Sequence, residues 1–95
     1  MAVRQRDYVV GFLVLWGANY VPFGWQVQTT TAYTFKEAIH ACTLAALGQY
    51  DAESIGMISL RIVFAQAATP HTIVRAEQVA SRSLLALLTP VGRVA

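Results

Sequence analysis

Residues Tyr8–Val27 read YVVGFLVLWGANYVPFGWQV, 20 largely apolar positions within a run that carries no charge between Asp7 and Lys36. An α-helix rises about 1.5 Å per residue, so the stretch covers roughly 30 Å, the thickness of a hydrocarbon core. Length therefore points to a membrane span. A buried core helix or a pair of strands stays open beside it, because VVGFLVLW alone has no periodicity that separates them. Within a span, Pro22 would kink or end the helix near Val21. Gly11, Gly17 and Gly24 recur at six and seven residues and would let a second helix approach. Tyr8 at one end and Tyr20 and Trp25 at the other fit aromatic anchors at the two water interfaces.

The flanks agree with that topology. Residues 1–7 form a polar lead in which Arg4 and Arg6 precede the span, which places the N-terminus on the cytoplasmic or matrix side. No small-residue cleavage site follows the apolar run, so it is not a secretory signal peptide. Residues 28–34 complete a polar, threonine-rich connector. The whole chain of 95 residues is 56% hydrophobic and only 13% charged, against roughly 25% charged in ordinary soluble domains. Such a surface asks for lipid or protein around it.

Three helix starts follow. Thr34-Phe35-Lys36-Glu37 fits a capping box, and the alanine- and leucine-rich FKEAIHACTLAAL that follows predicts a helix over 35–47, ended by Gly48. Ala38, Ala41 and Ala45 give it a smooth side for helix packing. Asp51-Ala52-Glu53 starts a second helix over 52–68, apolar nearly all round and hence buried. Its Arg61 costs about 2.5 to 3.5 kcal/mol at a bilayer centre, so the helix is read as a clasp on a neighbouring subunit, with Arg61 paired to a partner's acid, and a second, shorter span stays open as the alternative. Thr69-Pro70 starts an amphipathic helix over 70–88 that ends before Thr89-Pro90, with His71, Arg75, Gln78 and Arg82 on its polar stripe and Arg93 in the tail beyond. The expected fold is thus all-α, with one transmembrane helix over 8–27, short helices over 35–47, 52–68 and 70–88, and no sheet. Residues 35–95 act as one helical clasp.

Residues that carry chemistry are few. The net charge of +2 comes from charges placed singly, which excludes the basic, aromatic-interleaved surfaces of nucleic-acid binders. Cys42 has no second cysteine to pair with, and no metal-ligand spacing exists. No nucleophile elbow or phosphate-binding glycine loop occurs, so no enzyme is expected. His40 and His71 are the candidates for ligating a haem or chlorin from two helices. An ordinary solvated histidine explains each, and no cofactor is expected. The layout of one span followed by small helices is similar to that of accessory subunits of respiratory or photosynthetic membrane complexes. That resemblance covers no motif and transfers no residue. It implies a non-catalytic accessory subunit that binds larger membrane subunits and lipid and is not a free monomer. The mitochondrial inner membrane is the favoured location, with the bacterial inner membrane or thylakoid as alternatives. A self-assembling filament or coat subunit and a small haem- or chlorin-binding membrane protein are the other two readings.

Overall fold

The computed structural model describes residues 4–88. Its elements run β1 (Arg6–Trp16), β2 (Val21–Ala32), α1 (Phe35–Leu47), α2 (Ala52–Ile55), β3 (Ile58–Ala67) and α3 (Pro70–Leu88). The three strands form one antiparallel sheet in the order β2-β1-β3, with β1 in the middle. This is an α+β fold. The all-α expectation is wrong, and so is its statement that there is no sheet.

The decisive element is β1. All seven residues from Val9 to Leu15 are buried, because successive side chains of a strand point to opposite faces and both faces are covered. Val10 and Phe12 pack beneath Cys42 and Ala46 of α1. Val9 packs with Ala76 of α3 on the other face. The chain is a helix–sheet–helix sandwich with β1 at its centre. Gly11 is a point where α3 seats against the sheet: a Cβ added there would lie 3.4 Å from the Ala76 carbonyl oxygen and 3.4 Å from the Phe64 Cβ.

Residues 8–27, expected to form one helix, are instead most of a hairpin. The loop Gly17–Tyr20 reverses the chain, closed by a hydrogen bond from Tyr20 N–H to the Gly17 carbonyl at 3.1 Å. Gly17 takes a left-handed φ of 78° there, the conformation glycine adopts without penalty. Pro22 does not kink a helix. It sits at the start of an edge strand, where its missing N–H is tolerated, beside a bulge that breaks the register between Val14 and Leu15. The connector expected over 28–34 continues β2 as far as Ala32.

The helix expected over 52–68 is the other correction. Only Ala52–Ile55 is helical, and Ile58–Ala67 is a strand paired with β1. Asp51 does cap the short helix, accepting the Ser54 N–H at 2.8 Å. The bond with Ser54, through its side chain first and its backbone second, holds the Asp51 carboxyl below its ordinary pKa. The other two helices lie where they were expected. Thr34 accepts the Glu37 N–H at 3.1 Å, while the Glu37 carboxylate turns to the threonine hydroxyl at 3.3 Å. Thr69 and Thr72 cap α3 reciprocally, each hydroxyl accepting the other's backbone N–H, at 3.0 and 2.7 Å. The stop at Thr89-Pro90, Arg93 and the first three residues of the lead lie outside the described residues.

No helix among the described residues is long and apolar enough to cross a membrane. The transmembrane helix is withdrawn, and with it the membrane, inner-membrane and respiratory-chain setting that rested on it.

Candidate functional site

A thin sandwich of three strands and two main helices leaves much apolar surface outside. Among the described residues, the buried core contains seven large apolar side chains, Val9, Val10, Phe12, Leu13, Val14, Leu15 and Phe64, and is completed by Cys42 and five alanines. Fifteen large hydrophobic side chains among the described residues are more than a third exposed. Six of them, Trp16, Tyr20, Val21, Phe23, Ile55 and Met57, belong to the end of the sheet where the β1–β2 loop meets the turn before β3.

Each side chain at that end has a local reason to be there. Trp16, the last residue of β1, pairs across the ladder with Val21 and Ile58. The bulge in β2 brings Phe23 edge-on to Trp16, with ring centroids 6.0 Å apart, and Phe23 in turn meets Tyr50 at 6.3 Å. Tyr50 is fixed by Gln26, whose side-chain amide donates to the phenol oxygen at 2.8 Å and to the Ala46 carbonyl at 3.2 Å. Gly17 N–H donates to the Met57 carbonyl at 2.9 Å, tying the hairpin loop to the turn before β3. Between them is an open cavity of about 310 Å³ lined by Gly17, Ala18, Tyr20, Gly56, Met57 and Ser59, with no charged residue in its wall. Tyr20 has a φ of 53°, left-handed although it is not glycine. That conformation costs roughly 1 to 2 kcal/mol and holds the ring 59% exposed.

A larger open cavity, about 500 Å³, lies at the start of α3 between Asp7, Thr29, Thr30, Thr31, Ala68, Thr69, Pro70 and Ile73. Its polar wall is occupied by the fold itself. Thr31 donates to the Asp7 carboxylate at 2.6 Å, and Thr69 and Thr72 satisfy each other and the Ala67 carbonyl.

The structure disperses the residues that the sequence nominated. His40 and His71 are exposed on α1 and α3, which lie on opposite faces of the sheet. Of the three glycines, Gly11 seats α3, Gly17 makes the turn, and Gly24 pairs with Val14 in the ladder. Ala38 is buried against the sheet, Ala41 is half-buried and Ala45 exposed. Arg61 is exposed on β3, paired across the sheet with Leu13, whose other neighbour is Trp25. Tyr8 stacks edge-on against Phe35 at 5.9 Å. Only Tyr20 belongs to the hairpin-end surface. Trp16, Phe23, Tyr50 and Met57 complete that surface, and of these sequence reasoning singled out neither Tyr50 nor Met57. Among the described residues no three of His, Cys, Asp and Glu come together in a way that could hold a metal ion.

Cys42 is buried, with its thiol directed to the Gln28 carbonyl at 3.7 Å. Burial pushes its pKa up. The folded state then holds the thiol proton more tightly than the unfolded state does. The resulting stability is fully present below the unfolded thiol pKa, about 8.5, and is lost as pH rises through the folded value. Relative to Cys42→Ala, the natural chain should lose stability from about pH 8.5 upward, as read by urea denaturation at stepped pH. The thiol should also stay unlabelled by maleimide until the protein unfolds.

No family model, curated protein or solved structure matches this chain.

Proposed function

We propose that this protein is a non-catalytic assembly subunit that docks onto a protein partner through the aromatic and methionine-bearing surface at the hairpin end. The observation that carries this is the inversion of large apolar side chains, fifteen exposed against seven buried among the described residues. Each exposed apolar side chain forgoes about 25 cal/mol per Å² that burial would return, and a contiguous patch of them marks a surface that another protein covers. The make-up of this end also fits. Aromatic residues and methionine are enriched at protein interfaces, and a flexible thioether adapts to an irregular partner. Tyr20, held out in a costly backbone conformation, is the anchor, since strain of that kind persists where it serves a contact.

Tyr20→Gly separates fold from function. Glycine relieves the left-handed strain, so the isolated protein should unfold no more easily, and up to about 1 kcal/mol less easily, than the natural chain. Docking should nevertheless weaken, since the most exposed aromatic ring of this end is gone. In native-condition gel filtration of cell extract, the natural chain should travel in a complex well above its own 10.4 kDa. The Tyr20→Gly, Phe23→Ser double variant should shift toward the free size. A natural chain that elutes at its own mass would overturn the proposal.

A further inference from the structure

A three-stranded sheet has two edges, and here they differ. On β3 the edge carries the charged Arg61 and a register break between Gly11 and Phe12 that leaves Val63 bulged. Charge and bulges are the devices that keep an edge from pairing with another chain. On β2 the register is unbroken from Gly24 to Ala32, GWQVQTTTA, with no charge and no proline. That edge is unguarded.

The direction of its backbone groups follows from one bond. Ala68 N–H donates to the Asp7 carbonyl at 2.7 Å, so Asp7, Val9 and Gly11 aim their backbone groups at β3. In an antiparallel ladder alternate residues point opposite ways, so Tyr8, Val10 and Phe12 bond to their β2 partners Thr30, Gln28 and Gln26. Val27, Thr29 and Thr31 are left with N–H and C=O groups aimed away from the sheet.

We infer that this edge is a homodimer seam. Two copies of β2 pair antiparallel about a twofold axis at Gln28, joining two sheets into one of six strands. The inference rests on the reading of the chain as an assembly subunit, and it names a second copy of this chain as one of its partners. Each outward residue then meets another outward residue, Val27 against Thr29 and Trp25 against Thr31, and no like charges oppose. The helices explain why the occupant is a whole copy rather than a lone extended peptide. Helix α1 lies over β2, with the Cys42 thiol at the Gln28 carbonyl and the Gln26 amide at the Ala46 carbonyl, and Ala41, Ala45 and Gly48 share one of its flanks at 100° per residue. Small residues let the twofold-related α1 approach closely. In α3, Ile73 lines the cavity with the β2 threonines, and Leu84 and Leu88 share that flank, with Glu77 as its charge. A peptide strand would leave both flanks bare, whereas a second copy covers them.

Thr29→Pro removes an outward N–H and no bond to β1, and proline is tolerated on an edge. The variant should keep the circular dichroism spectrum of the natural chain. Its dimer dissociation constant in sedimentation equilibrium should rise at least roughly thirtyfold, since the change occurs twice per dimer and each leaves a partner carbonyl unpaired. Ala45→Lys, on an exposed helix position, should weaken the dimer without touching the sheet. Tyr20→Gly should leave it unchanged. A natural chain that stays monomeric at the highest concentrations measured, or a folded Thr29→Pro that dimerises as before, overturns the inference. Loss of the dimer with docking at the hairpin end intact would remove this inference alone. A dimer that persists while Tyr20→Gly changes no other association would remove the docking proposal alone.

Discussion

Phe12→Ala should destabilise the protein by about 3 to 5 kcal/mol. Phe12 is fully buried in β1 and is the largest of the side chains shut off from solvent. It fills the space under Cys42 and Ala46, where the small residues of α1 cannot collapse far enough to close the hole. A domain of this size has roughly 5 to 15 kcal/mol in total, so about a fifth or more of its stability rests on one ring. The midpoint of thermal unfolding should fall by at least roughly 12 °C. A drop of only a few degrees would mean that α1 does not lie on this face of the sheet.

Gly11→Val is the complementary test, on the opposite face. Valine suits a strand better than glycine does, so propensity alone predicts a gain. The layered fold predicts a loss of about 1 to 3 kcal/mol from overpacking. The first added carbon already touches the Ala76 carbonyl and the Phe64 side chain at 3.4 Å, and two further methyl groups must displace α3. Chemical denaturation of the variant reads the sign directly. Unchanged or raised stability would show that α3 is not seated on β1.

The parts of this fold that the sequence revealed are those that signal locally. Thr34 with Glu37, Asp51, and Thr69 with Pro70 each announce a helix start through a side chain that satisfies backbone N–H groups a turn away. Helices α1 and α3 accordingly lie where those residues put them. The strands failed for a physical reason. A strand covered on one face alternates apolar with polar, but β1 is covered on both, so its alternation is erased. Val9–Leu15 then matches a membrane helix in composition, and the hairpin's two arms supply the missing length. Alternation does survive in the edge strand, where Phe23, Trp25 and Val27 alternate with Gly24, Gln26 and Gln28. Gly17-Ala18-Asn19, inside the stretch read as one span, is a turn between two strands. In β3 the β-branched Ile58, Ile62 and Val63 argued for a strand against the helix that Asp51 began.

The site was less legible than the fold. Trp16, Phe23, Tyr50 and Met57 come together only because a bulge, a crossover through α1 and a turn bond place them at one end. Nothing in their spacing announces that. The one available signal was the low charge, 13%, which already indicated a surface that something else covers.

Val9–Leu15 is a strand flanked by two others. Proton NMR of the purified protein in aqueous buffer tests it most directly. In an antiparallel sheet the α-protons of non-hydrogen-bonded partners nearly touch. The ladder predicts α-proton cross-peaks from Val9 to Thr29 and Gly11 to Val27 on one side, and from Tyr8 to Ala67 and Val10 to Ala65 on the other. Connectivities from each residue to the third one along through Val9–Leu15, with no cross-peak to Val27 or Ala65, would show a helix there and contradict the account.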